Sequence, residues 1–193
     1  MNYIGIDYSM TSPAICIFKG DEFSFDRCKF YFVTNRLKLN DVFCKGKITG
    51  ILMPEYKNDI DRFDILSDYM MDSILYNCRS KGISIGLEDY AMGARGRVFG
   101  IGENTGILKY KLREYPLFTY PPTVIKKFAT GKGNSNKEVM YDYFTKETGV
   151  DLRDSFPSKS EKIGNPISDI IDSYYICKKL YHEINTEKDL TIA

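Results

Sequence analysis

The chain is short of the residues that mark thiolate metal sites, disulfide scaffolds and membrane spans. Its 193 residues include one histidine, His182, and five cysteines: Cys16, Cys28, Cys44, Cys78 and Cys177. An odd number of scattered cysteines without a C-x-x-C pair suggests neither a zinc site nor a disulfide framework, and points to a reducing compartment. His182 falls late in the last helical pattern and reads as a surface residue rather than a ligand. No apolar run approaches membrane-spanning length, and the N-terminus opens directly into a strand-like segment without the basic and apolar parts of a signal peptide. The expectation is a soluble, cytoplasmic protein with no membrane partner. Internal repeats and low-complexity tracts are also missing. One domain spanning 1–193 suits the length and the 43% hydrophobic content.

Charge of one sign is not in excess, since the formal net charge is +1, but it is unevenly spread. Between Ala91 and Lys137 lie nine basic residues (Arg95, Arg97, Lys109, Lys111, Arg113, Lys126, Lys127, Lys132 and Lys137) against Glu103 and Glu114. From Asp59 to Asp72 there are five Asp and one Arg. One basic and one acidic face follow, the first able to dock a polyanion; ordinary solvated helix faces would give the same pattern.

Residues 3–8 and 14–18 read as short buried strands and 23–33 as a third, with Lys19, Gly20 and Asp21 turning between the second and third. Residues 34–58 carry Asn, Lys, Gly and Pro punctuation and predict a loop or a small extra hairpin without an assignable role. Ile60, Phe63, Leu66, Met70, Ile74 and Leu75 recur at helical spacing, predicting an amphipathic helix over 59–78. After the break at Gly82 comes a strand, 83–88, then a helix at about 105–114, a strand at 117–120 and a short helix from the Pro121-Pro122 pair through Phe128. Ser135 with Glu138 forms a capping box for a helix that Gly149 ends. Asn165 as cap and Pro166 as first helical residue open the last helix. Strands followed by alternating helix and strand indicate an α/β fold: a mixed sheet with an antiparallel hairpin at one edge and parallel strands beside it.

Two strand ends share a pattern: Ile4-Gly5-Ile6-Asp7 and Ile85-Gly86-Leu87-Glu88. Alternation places each acid on the same face as its glycine, so adjacent parallel strands would set Asp7 beside Glu88. The glycines leave that face open to a closely packed helix. Asp169 and Asp172, three apart on the final helix, can both turn toward the sheet. Burying four carboxylates together is costly unless a divalent cation neutralises them, and magnesium or manganese suits such an all-oxygen site. Two ions about 3.5–4 Å apart could serve an in-line phosphodiester displacement. Each acid has a plainer explanation when taken alone. Asp7 could cap a turn, Asp169 could favour the helix dipole, and Glu88, like its neighbour Asp89, could be a surface charge.

Together these residues resemble the RuvC-type Holliday junction resolvases of the RNase H-like superfamily, especially virus-encoded relatives. The similarity spans nearly the whole chain. It rests on the Ile4 to Asp7 strand, Glu88 at a strand end, the block from Val124 to Lys137, and Asp169 with Asp172 on a terminal helix. The resemblance implies an RNase H-like α/β fold, here a mixed five-stranded sheet with helices on both faces. It also implies magnesium-dependent cleavage of four-way or other branched DNA by a homodimer. Asp7, Glu88, Asp169 and Asp172 would be the catalytic metal ligands. Lys126 and Lys137 match basic positions of the family that contact phosphate or stabilise negative charge, Lys137 being placed among the catalytic residues. Lys127, Lys132, Arg95 and Arg97 complete the expected DNA contacts, the two arginines in a loop over 93–102. The sequence departs from the family after Asp7, where Tyr8-Ser9-Met10-Thr11 replaces a glycine-containing turn. It departs again at Ala91, where the family carries an aromatic wedge for which Tyr90, Met92 or Phe99 could substitute.

Three other readings share parts of the pattern. A nonspecific or RNA-directed RNase H, of broader substrate range, would share the fold and metal site but generally takes its Glu from a helix, whereas Glu88 ends a strand. An actin-like ATPase needs two related domains, about twice this length. A noncatalytic junction-binding protein would gain nothing from clustered negative charge beside phosphate.

Overall fold

The computed structural model describes residues 1–78, 82–89, 98–156 and 162–192, with side chains to residue 186. The sheet begins with β1 (Asn2–Asp7), whose six residues are all buried, and β2 (Ala14–Lys19), which pairs with it antiparallel. Burial on both faces explains why these strands read as continuous apolar runs. β3 (Cys28–Thr34) follows a 3-10 turn at Phe25–Arg27, so the strand is shorter than the predicted 23–33.

The segment predicted as loop or extra hairpin supplies two further strands, β4 (Val42–Phe43) and β5 (Ile48–Leu52), antiparallel to each other. β5 also joins β3 in parallel, placing Gly50 so near Leu39 that an added Cβ would lie 1.8 Å from its carbonyl oxygen. With α1 (Asp59–Asn77), β6 (Ile83–Glu88), α2 (Val98–Lys111) and β7 (Leu117–Tyr120), the sheet has seven strands in the order β4-β5-β3-β2-β1-β6-β7. The expected five strands are thus corrected to seven, and the β2-β3 hairpin lies inside the sheet rather than at its edge. The parallel pairing of β1 with β6, in the register Gly5 to Gly86, is as the alternation predicts.

The remaining helices are α3 (Pro122–Thr130), α4 (Lys137–Thr148) and α5 (Ile167–Ile192). Two apolar layers sandwich the sheet. Ile4, Ile6, Ile85 and Leu87 meet Leu66, Met70 and Ile74 of α1 and Leu108 of α2 on one face. On the other, Tyr3, Phe18 and Phe30 meet Phe144 of α4 and Tyr174, Ile176 and Cys177 of α5. The predicted α1 stripe holds at Phe63, Leu66, Met70 and Ile74, but Ile60 and Leu75 are exposed. Leu75 follows Ile74 directly and therefore turns about 100° away from the sheet.

Three helix starts differ from the sequence expectation. α2 begins at Val98, ahead of the predicted 105. The cap of α4 is Asn136, whose side chain accepts from Val139 N at 2.9 Å. Ser135 is instead held inside the preceding turn, donating to the Lys132 carbonyl and sharing a hydrogen bond with Thr130 Oγ1. α5 begins at Ile167, with Pro166 just outside it and its carbonyl accepting from Ile170 N. No helix among the described residues is long and apolar enough to cross a membrane.

Candidate active site

Asp7 and Glu88 close the neighbouring strands β1 and β6, and both project to the face covered by α5. The glycines two residues earlier bring that helix close. A Cβ on Gly5 would lie 2.3 Å from both Ser173 O and Cys177 N, and one on Gly86 would lie 3.0 Å from Ile176 Cγ2. With the α5 backbone resting on β1, its first two turns carry Asp169 and Asp172 over the ends of β1 and β6. Asp7 and Asp169 are buried, Glu88 and Asp172 half-buried.

The four acids act on one another. Burial pushes the Asp7 carboxyl well above its ordinary value, and the charges of Glu88, Asp169 and Asp172 add to the rise. Burial likewise raises Glu88 to about 7, opposed by Lys126 and by a hydrogen bond with Asp7, and assisted by Asp169. Asp172 rises to about 7 through burial and then the charges of Glu88 and Asp169, with Lys126 and Lys137 opposing. Asp169 rises only to about 6, because hydrogen bonds from Ser12 and Ser168 and the charge of Lys137 offset part of its burial. Each group resists ionisation chiefly because burial penalises its charged form, and at Asp7, Glu88 and Asp172 neighbouring carboxylates add to that. Functional sites are where such perturbed groups most often gather, which makes this cluster the candidate site.

The two lysines singled out from the sequence are placed against this cluster. Lys137, the first residue of α4, sends its ammonium to Ser168 Oγ at 3.1 Å and Asn165 Oδ1 at 3.3 Å. Its charge acts on Asp7, Asp169 and Asp172. Lys126 on α3 acts on Glu88 and Asp172, and the two lysines line a small cavity of about 60 Å³ with Ser168 and Asp172. Lys127 and Lys132 are exposed and do not figure among the charges acting on the four acids. Arg95, Arg97 and the wedge candidates Tyr90, Ala91 and Met92 lie outside the described residues, while Phe99 is 88% exposed on α2. Lys111 departs from the expected basic face: it pairs with Asp68 at 2.5 Å and Asp64 at 2.7 Å on α1, joining the basic stretch to the acidic one. His182 is exposed, with its ring against Phe128 and Tyr181.

Sequence reasoning missed three polar side chains that organise the site. Ser12 Oγ donates to Asp169 Oδ2 at 2.5 Å, and Ser168 Oγ donates to the other carboxylate oxygen at 3.1 Å. Asn165, predicted as a helix cap, instead donates through Nδ2 to Ser12 Oγ at 2.7 Å and accepts through Oδ1 from Lys137, and its Oδ1 shares the single Ser168 hydroxyl proton with Asp169. The turn after Asp7, which lacks the family's glycine, is closed by Ser12 N donating to Ser9 Oγ. The only available signal was compositional, a Ser/Thr-rich turn following a strand-end Asp.

The donor chemistry fits a hard divalent cation: four carboxylates, all oxygen, with two lysine ammoniums acting on them. Among the described residues, no three acidic, histidine or cysteine side chains have their donor atoms arranged around one point. Both oxygens of Asp169 face serine hydroxyls, and Glu88 is bonded to Asp7.

No family model matches the chain, and no curated protein matches its sequence. Among solved structures it is similar to RuvC from Thermus thermophilus, with a TM-score of 0.59 and 14% identity over 98% of this chain and 97% of that one. The same bacterial protein in complex with a Holliday junction substrate gives a TM-score of 0.60 and 13% identity over 96% and 97%. Fowlpox virus resolvase in complex with Holliday junction DNA gives 0.50 and 13% over 95% and 99%. At this identity the likeness speaks for architecture, and the chain has the RuvC-like form of the RNase H-like fold.

Proposed function

We propose that this protein is a divalent-metal-dependent endodeoxyribonuclease that cleaves phosphodiesters in branched DNA, four-way junctions foremost. The observation that carries the reading is the gathering of Asp7, Glu88, Asp169 and Asp172 at one end of the sheet, all with proton affinity raised by burial, with Lys126 and Lys137 beside them. Clustered carboxylates repel a phosphate unless cations stand between them, so a site of this kind is suited to work loaded. Magnesium, or manganese, as two ions per site, would neutralise the acids and supply Lewis-acid charge to an in-line displacement. Asp7, Glu88, Asp169 and Asp172 would hold the ions, and Lys126 and Lys137 would hold the phosphate and the negative charge that grows on it. Ser12 and Ser168 fix the direction of Asp169, and Asn165 fixes Lys137.

Branched DNA as substrate is supported by the architecture, whose solved neighbours include two resolvases described with Holliday junctions. The same reading takes the protein to act as a homodimer, so that two sites meet opposing strands, and relates it to the virus-encoded branch. The test compares four-way junction, Y-fork and linear duplex in magnesium, for the wild type and Asp7→Asn. Junction cleavage that vanishes in the variant supports the reading. Undiminished cleavage by the variant refutes the carboxylate assignment, and equal cutting of linear duplex refutes the junction assignment.

A further inference from the structure

Beside the acids, on the other side of Asn165, lies a second concavity with the opposite charge. It has a volume of about 230 Å³, and its lining among the described residues includes Arg36, Arg153 and Lys162 but no carboxylate. Its floor is apolar, formed by Leu39, Phe156 and Ile163, all buried. Arg36, Arg153 and Lys162 are themselves exposed, so their charges meet at the rim of the concavity, and only the apolar floor beneath them screens less than water. Residues 164–167, which lead into α5, also line the pocket, so the amino end of this long helix adds its partial positive charge.

The pocket is built across distant segments of the chain. Arg36 comes from the stretch between β3 and β4 and reaches the main-chain carbonyl of Asn165, to which its guanidinium donates. The guanidinium of Arg153 lies 4.6 Å over the Tyr141 ring, a contact that keeps a planar cation in place. The Asn165 side chain, in turn, holds Lys137 and Ser12 at the carboxylate cluster. One residue therefore forms the wall between the basic pocket and the acidic site.

We infer that this pocket binds a backbone phosphate of the DNA strand that enters the carboxylate cluster, and that Arg36 is its principal contact. The inference rests on the nuclease reading and adds to it a phosphate contact from the segment over 34–58, which the carboxylate chemistry leaves without a task. Contact with Asn165 makes the pocket a register point: a phosphate held there fixes which neighbouring phosphodiester meets Lys137 and the acids.

The experiment measures affinity for a four-way junction in EDTA as a function of salt, which needs no cleavage. Arg36→Ala should weaken binding about 10-fold and reduce the slope of log K against log salt by about 1, the signature of one lost phosphate contact. Lys162→Ala should act in the same direction, while Arg36→Lys should retain most of the slope. Lys146→Ala, at an exposed position on α4 outside the pocket, should leave the slope unchanged and controls for the loss of one positive charge. An unchanged slope in Arg36→Ala, or an equal loss in Lys146→Ala, overturns the inference. So does binding of inorganic phosphate that depends on Arg36 while the DNA slope does not. The nuclease reading fails separately, by absence of magnesium-dependent cleavage in the wild type.

Discussion

The first two turns of α5 and the two that follow belong to one helix on one sheet face, yet they do opposite work. Ser168, Asp169 and Asp172 bring charge and hydroxyls to the ends of β1 and β6, while Tyr174, Tyr175, Ile176, Cys177 and Leu180 are almost fully buried in apolar packing. The contact at Gly5 separates the two halves and sets the height of both above the sheet. Stability comes from the apolar half and is opposed in the acidic half, where buried like charges raise one another's proton affinity. The arrangement of acids at the strand ends thus draws on packing farther along the same helix.

That division can be broken from either side. The largest effect should come from the acidic half. Asp172→Asn should cut junction cleavage on the order of 10³-fold while leaving the midpoint of thermal unfolding unchanged or higher, since it removes a repelled charge. Parallel rate and melting measurements would contradict the division if activity and stability fell together. In the apolar half, Tyr174→Ala removes an aromatic ring packed between Phe144 and Phe25 and a hydroxyl bonded to Glu147 at 2.6 Å. It should cost about 3–5 kcal/mol in urea unfolding yet leave the cleavage rate of the folded fraction within a few-fold.

The glycines sharpen the comparison further. Gly5→Ala pushes a methyl group against α5 backbone and should cost about 3 kcal/mol, whereas Gly86→Ala meets the side chains of Ile176 and Tyr120, which can shift, and should cost about 1 kcal/mol. Equal melting points for the two variants would show that α5 is free to rise and that its backbone contact does not fix the site.

The smallest effect is on pH dependence. Asp172 moves from 3.8 unperturbed to about 7 in the fold and Glu88 from 4.5 to about 7. Between those limits the folded protein binds more protons than the unfolded chain. The contribution of these groups is therefore fully present below about pH 4 and is lost as pH rises through 7. In EDTA, the melting advantage of Asp172→Asn over wild type should widen from pH 4.5 to 7.5, and magnesium should narrow it at the upper end. A gap that stays constant with pH would mean that Asp172 is not held in a charge-repelling environment.

Much of the site was legible because it depends on local periodicity. The pairs Gly5-Asp7 and Gly86-Glu88 are two residues apart on strands, and Asp169-Asp172 three apart on a helix, so spacing alone assigns each pair a face. The segment over 34–58 was not legible: β5 is five residues long, contains Gly50, and gains its place by pairing with β3. Asn165 was misread for a related reason. A residue before a helix ordinarily caps it by accepting from a main-chain amide, but the partners of its side chain are the side chains of Ser168, Ser12 and Lys137, the last two 153 and 28 residues away. The same holds for Ser135 and Asn136, where the tight turn at Thr130 took the expected capping serine.

The sequence by itself determined the strand-helix alternation, the strand ends that carry Asp7 and Glu88, and the face of α5 that carries Asp169 and Asp172, because those follow from the repeat of the backbone. Only the tertiary structure decided that Ser12 and Ser168 would bind Asp169, that Asn165 would stand between the acids and a basic pocket, and that the sheet would extend to seven strands. Such contacts join segments far apart in the chain, and hydrogen bonds and charge depend on distances in space that spacing along the chain does not encode.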